Sequence, residues 1–221
     1  FVAHEKAAAA FEEALKIDPA NDPSLRGLGR LYRVLGRWDE LATLLERHAT
    51  IVEDSAKKVE LLVSAGRVLF DPIGAIDRAL RCFERALEVE KAQPVALEYM
   101  ARIAALKGDT RSAVEAYEGL VQAAKTTAEK VELLLKVARI LEEKGDRDAA
   151  IERYKQALDV DPDSVTATTR LRELYAARGD AAGAIELLQR EIEAAEGSNA
   201  RAALWAQVAR IYRERMKDKD K

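Results

Sequence analysis

The chain has 221 residues, of which 48% are hydrophobic, 34% charged and 5% aromatic. Its formal net charge of −3 gives no general attraction to nucleic acid or to an anionic membrane. Cys82 is the only cysteine, so an intrachain disulfide and a cysteine zinc site are excluded, and no apolar run reaches the roughly 18–20 residues that a membrane span needs.

Ala, Leu, Glu, Arg and Lys dominate, and these are strong helix formers. Val, Ile and Thr never form long alternating runs, so strands have little support. The fold class is therefore all-α. In chain order, Phe1 to Ile17 reads as one helix, stopped by Asp18-Pro19. Asp22-Pro23 opens the next, with Asp as N-cap and Pro at the first helical position, and Gly36 ends it. A third helix runs from about Trp38 to Val52, and a fourth begins at Ser55. Asp71-Pro72 repeats the cap-plus-Pro signal and opens the helix that carries Ala79 and Phe83. Pro94 opens another, ended by Gly108-Asp109, and the following one holds Ala113, Tyr117 and Leu120.

The clearest pair spans Val131 to Pro162. Leu134, Val137, Ala138 and Leu141 recur at helical spacing, as do Ala150, Tyr154, Ala157 and Leu158. Gly145 is a left-handed stop, Asp146 caps the second helix, and Asp161-Pro162 ends it. Three more helices follow: Ser164 to Arg178, one through Ala184 to Ile192, and one through Trp205 to Tyr212 that frays from Met216. The total is twelve, with all five prolines at predicted boundaries.

Six blocks align in register: LGRLY at Leu28, AGRVL at Ala65, MARIA at Met100, VARIL at Val137, LRELY at Leu171 and VARIY at Val208. Their second residues, Gly29, Gly66, Ala101, Ala138, Arg172 and Ala209, are spaced by 37, 35, 37, 34 and 37 residues. A period in this range marks a solenoid of stacked helical hairpins. Small residues in this slot let the helices of a hairpin approach, with Phe11, Phe83 and Tyr154 filling the space beyond. A single hairpin cannot bury both faces, so each must stack on the next.

These blocks resemble the tetratricopeptide repeat family. Leu28-Gly29-x2-Tyr32 is similar to the family's first helix. Ala7-x3-Phe11-x2-Ala14 with Pro19, Ala79-x3-Phe83-x2-Ala86, and Ala150-x3-Tyr154-x2-Ala157 with Pro162 are similar to its second; Trp205 stands where the family's Trp would be. The resemblance covers nearly the whole chain and implies a right-handed superhelix over 1–221, with about six units and incomplete units at the ends. Units alternate in length, and Lys57 to Leu69 matches Glu129 to Leu141 at a distance of 72 residues. The extra length is expected in longer second helices, with His48, Leu120 and Glu191 where Ala is usual, and Arg172 replaces the usual small residue. Both changes are expected to loosen inter-helix contacts.

No catalytic constellation is evident. His4 and His48 lie on different helices without metal-ligand spacing. His48 reads as a packing or helix-surface residue, and Cys82 as a structural thiol. Gly27-Leu28-Gly29 lies inside an amphipathic helix, not in a phosphate loop after a strand. A non-enzymatic protein with no metal and no cofactor is expected.

The third residue of the aligned block is Arg30, Arg67, Arg102, Arg139 and Arg210, with Glu173 the exception. The resemblance implies that this position faces a concave groove, where repeated guanidinium forks suit carboxylate or phosphate recognition. Tyr99, Thr169 and Phe70 are further groove candidates. The competing reading is internal pairing with Glu60, Glu98, Glu132 or Glu142, worth little per pair. The expected function is a protein-interaction or scaffold module that takes a partner protein or acidic peptide in the groove. The alternative is a structural segment that associates through its ends and convex face; Phe11, Trp205, Val208 and Tyr212 are expected to leave half-exposed apolar surface there. An RNA-binding repeat is disfavoured by the acidic balance.

Overall fold

The computed structural model describes residues 2–219, with side chains through residue 213. It is an all-α solenoid fold, with twelve α-helices and no strand among the described residues. The described chain falls into two compact units that divide between Ala123 and Ala124. The first holds α1 (Val2–Ile17), α2 (Asp22–Leu35), α3 (Trp38–Ile51), α4 (Ser55–Val68), α5 (Ile76–Val89), α6 (Pro94–Lys107) and α7 (Thr110–Ala123). The second holds α8 (Thr127–Lys144), α9 (Arg147–Val160), α10 (Val165–Arg178), α11 (Ala181–Ala194) and α12 (Ser198–Lys219). Within each unit every helix packs against its neighbour in sequence. The frayed end expected from Met216 is helical as far as Lys219; residues 220–221 lie outside the described residues.

Glycine and short polar side chains set the helix ends. α2, α6, α8 and α10 all stop at a left-handed glycine, Gly36, Gly108, Gly145 and Gly179, each seven residues beyond its small-residue slot. Asp146 and Asp180 then accept the N–H groups of Ala149 and Gly183 at 3.2 and 2.9 Å and cap α9 and α11. At α2 the cap is one residue earlier than Asp22: the Asn21 side chain accepts the Ser24 N–H at 3.1 Å, and Asp22 is already helical. Its carboxylate instead sits in the first turn, where it favours the helix dipole.

The Asp71-Pro72 signal does not open α5. Leu69–Ile73 form a π-helical turn that continues α4, and Gly74 follows at φ 75°, eight residues beyond Gly66 rather than seven. The turn therefore absorbs one inserted residue. An α turn would press the Pro72 ring against the carbonyl four residues back, at Val68, and the wider turn relieves this clash. The Gly74 and Ala75 N–H groups both reach the Leu69 carbonyl, closing the turn.

The alternating unit length also lies elsewhere than expected. α3, α7 and α11 each have 14 residues, the same as α5 and α9. The added turn is at the start of α4, α8 and α12, which begin eleven residues before the small-residue slot, whereas α2, α6 and α10 begin seven before it. Pro19 and Pro162 lie in the loops ahead of α2 and α10, and Pro23 and Pro94 stand at the first positions of α2 and α6. The loops ahead of α4, α8 and α12 contain none, so helix starts a turn earlier.

In the first unit Leu62, Leu69, Phe83 and Ile103 form one buried cluster, and Leu15, Leu25, Leu28 and Leu41 another. Gly66 lets the Phe83 ring in; a Cβ there would stand 2.6 Å from it. Beside Phe11, however, the tight position is Gly27 (2.5 Å) and not Gly29, whose nearest neighbour would be Leu41 at 3.7 Å. In the second unit Val137, Tyr154, Leu158 and Leu171 are buried. Val208, expected at an exposed end, is buried against Ile185 and Leu188, because it points back at α11 while Trp205 and Tyr212 point away. Two of the four departures from small residues pair with each other: Arg172 on α10 makes an ion pair with Glu191 on α11. In that hairpin the close approach lies at Gly183, where a Cβ would collide with the Tyr175 ring, and the ion pair adds an electrostatic tie.

Candidate functional site

The six aligned blocks lie on α2, α4, α6, α8, α10 and α12, and all five arginines of the ladder are exposed. Arg30, Arg67 and Arg102 belong to the first unit, Arg139 and Arg210 to the second. The guanidinium groups of Arg30, Arg67, Arg139 and Arg210 make no ion pair or hydrogen bond with a described residue. The carboxylates that could have neutralised them are engaged elsewhere or stand in solvent. Glu60 pairs with Lys57 at 2.9 Å, Glu142 is held by Arg170 and Tyr154, and Glu98 and Glu132 are exposed.

Arg102 is built differently. The π turn sets Phe70 and Asp71 against α6, where Phe70 meets Tyr99 edge-on with ring centroids 5.4 Å apart. The Arg102 guanidinium lies over both rings, 4.9 Å from the Phe70 centroid and 4.7 Å from that of Tyr99. The Tyr99 hydroxyl donates to Asp71 Oδ2 at 2.7 Å, and Arg102 Nη2 stands 3.7 Å from Asp71 Oδ1. This is an ion pair without a hydrogen bond, so the donors of the fork are not consumed by the protein. Phe70 and Tyr99 thus meet at one arginine, while Thr169 is exposed on α10 in the second unit.

In the second unit Arg139 borders a cleft of about 530 Å³ lined also by Leu135, Glu142, Glu143, Tyr154, Thr166 and Arg170. Arg170 grips Glu142 with Nε and Nη2 at 3.2 and 2.7 Å and reaches Glu173 with Nη1 at 2.5 Å. The Tyr154 hydroxyl donates to Glu142 at 2.8 Å; burial first, then this carboxylate, push the Tyr154 pKa up to about 12. Arg210 borders a second cleft, of about 480 Å³, with Arg172, Tyr175 and Gln207.

A further feature of the aligned helices was not anticipated from the sequence. Five residues beyond the small-residue slot stand Val34, Asp71, Leu106 and Glu143, all exposed, with Val34 and Leu106 each 66% accessible. Val34 and Leu106 follow Arg30 and Arg102 by four residues and so share their helix faces. The signal lay in the same 72-residue super-repeat, which pairs Val34 with Leu106 and Asp71 with Glu143.

The residues considered for chemistry are dispersed. His4 is exposed on α1, and His48 is half-buried on α3, where burial lowers its pKa. Cys82 is buried, donates to Glu46 at 3.3 Å, and has its thiol pushed up to about 12, chiefly by burial. Among the described residues no group of three or more His, Cys, Asp or Glu could hold a metal ion, and no helix is long and apolar enough to cross a membrane.

Helical hairpins in a fixed register, with an exposed side-chain ladder and dispersed reactive groups, define a helical-repeat protein. A family model described as tetratricopeptide repeat matches residues 74–128 and 135–199, and two others of the same description match 24–59 and 3–21. The chain belongs to the tetratricopeptide repeat family, which supports a protein–protein interaction module. No curated protein matches the chain. Among solved structures, MamA is 24% identical, with 72% of this chain and 89% of that one covered at a TM-score of 0.50. A tetratricopeptide repeat protein from Parabacteroides merdae is 15% identical, with 93% and 78% covered at 0.49. YrrB is 21% identical, with 76% and 82% covered at 0.47. At these identities the likeness to MamA shows the fold alone.

Proposed function

We propose that this chain is a non-enzymatic scaffold module whose first helices bind an acidic segment of another protein through Arg30, Arg67, Arg102, Arg139 and Arg210. The observation that carries this reading is the exposure of all five arginines, four of them with no protein partner among the described residues. Guanidinium groups left in solvent at a repeated slot are available to a ligand without breaking internal pairs. A preformed face also avoids much of the ordering cost of association. The same register runs through both units, which supports one repeat array over 1–221. The groove of the reading is the concave face that the family implies.

Charge reversal at Arg67, Arg102 and Arg139 tests this. The triple variant is expected to lose binding to an acidic peptide while its helical circular dichroism is unchanged; retained affinity would remove the reading. A second reading, association between copies or within a longer rod, draws support from Trp205 and Tyr212, which are 53% and 51% exposed on α12. It predicts self-association that Trp205→Ala abolishes and the arginine variant does not.

A further inference from the structure

The five arginines are equal in register but not in construction. Among the described residues only the repeat containing Arg67 carries the inserted residue, and the π turn that absorbs it is what brings Phe70 and Asp71 to α6. π-Helical insertions within helices recur at functional sites. Here the result is an arginine whose guanidinium is supported by two rings and steered by a carboxylate that forms no hydrogen bond with it. The supports are themselves fixed. Tyr99 is buried, donates its hydroxyl to Asp71, and stacks on the fully buried Phe83 with centroids 5.1 Å apart. The Arg102 side chain nonetheless remains 46% exposed. A fork held in place with its donors open loses less freedom when it takes a ligand than one on a mobile stem.

We propose that Arg102, cradled by Phe70, Tyr99 and Asp71, is the specificity-determining anchor of the face and takes one Asp or Glu side-chain carboxylate of the partner segment as a two-pronged pair. Arg30 and Arg67 then act as diffuse attraction and Arg102 as the geometric reader. The ligand group is a side chain rather than a chain terminus, because the ladder repeats along the helices and only side chains supply carboxylates repeatedly. Leu106, one turn further along α6 and exposed, gives the same partner an apolar contact beside the anchor. This assignment rests on the proposed function of the arginine face.

The test uses the full chain and a labelled peptide of alternating glutamate and leucine, amidated at its C-terminus, with binding read by fluorescence anisotropy. Lysine keeps the charge but has neither the planar fork nor the stacking surface. Arg102→Lys is expected to weaken binding about tenfold, the loss of one charge-assisted hydrogen bond. Arg67→Lys is expected to change it by less than about threefold, the scale of an exposed ion pair. Phe70→Leu, which keeps an apolar side chain but removes one ring, is expected to weaken binding with arginine still in place. Equal effects of Arg102→Lys and Arg67→Lys, in a wild type that binds, overturn this assignment and leave the broader reading standing. Failure of the wild type to bind overturns the broader reading itself. A loss on Arg102→Lys that is seen only with a free C-terminus overturns the side-chain assignment.

Discussion

Gly29 and Gly66 occupy the same slot of the repeat, yet a methyl group added to each is expected to move stability in opposite directions. At Gly66 a Cβ would stand 2.6 Å from Phe83 Cε1 and 2.7 Å from Cζ. The ring has nowhere to retreat, since Phe83 is fully buried and stacked on Tyr99. Overpacking of this kind costs about 1–3 kcal/mol, and the better helix propensity of alanine returns about 0.5–1 kcal/mol. Gly66→Ala should therefore lose up to about 2.5 kcal/mol. At Gly29 the nearest atom is Leu41 Cδ1 at 3.7 Å, an ordinary contact, so Gly29→Ala should gain about 0.5–1 kcal/mol from propensity alone. The assay is urea unfolding of the first unit. The two tryptophans are Trp38 in the first unit and Trp205 in the second, so a Trp205→Phe background leaves fluorescence to Trp38. Following one unit also avoids assuming that a repeat array unfolds in one step. A midpoint for Gly66→Ala at or above that of Gly29→Ala would refute the packing account.

Arg172 and Glu191 tie α10 to α11, so Arg172→Ala alone should destabilise by about 1 kcal/mol, leaving a mostly buried carboxylate unpaired; the double variant Arg172→Ala/Glu191→Ala should recover that loss in chemical denaturation. Tyr32 and Tyr154 are buried phenols pushed up to about 12, by burial first and then by Glu12 and Glu142. A raised folded-state pKa contributes stability that is complete below the unfolded value near pH 10 and is lost as pH rises through about 12. The variant Tyr32→Phe/Tyr154→Phe should thus lose less stability than wild type across that window in pH-jump unfolding. Cys82, buried with its thiol held up near 12, should resist iodoacetamide at neutral pH in the folded chain and react once urea unfolds it; prompt labelling of the native protein would contradict its placement.

The twelve helices were legible because most are bounded by Gly, Asp or Pro, and the α7–α8 junction by the capping Thr126, signals that act within a few residues. The π turn was not, because Asp71-Pro72 has the local form of a helix start. Its signature is Gly74 at eight residues from the slot instead of seven, a count that requires all the copies side by side. The misplacement of Phe11 against Gly29 has a similar origin. Which of Gly27 and Gly29 faces the ring depends on how α1 crosses α2, and periodicity alone does not carry crossing geometry. The arginine ladder was legible as a slot. Its inequality was not, since the support of Arg102 comes from Phe70 and Asp71, residues of the preceding repeat. Arg170 and Thr166 beside Arg139 escaped notice for the same reason: a cleft between consecutive first helices is assembled from two repeats. Arg172 and Glu191 each looked like a defect, and only their juxtaposition makes them a pair.

The arginine face is tested most directly by titrating the amidated glutamate–leucine peptide against wild type and against Arg67→Glu/Arg102→Glu/Arg139→Glu, at low and at high ionic strength. Saturable binding by the wild type that weakens with salt, and its loss in the reversed variant with helicity intact, is the predicted result. Equal affinity of the two proteins for the peptide at low ionic strength would contradict the account.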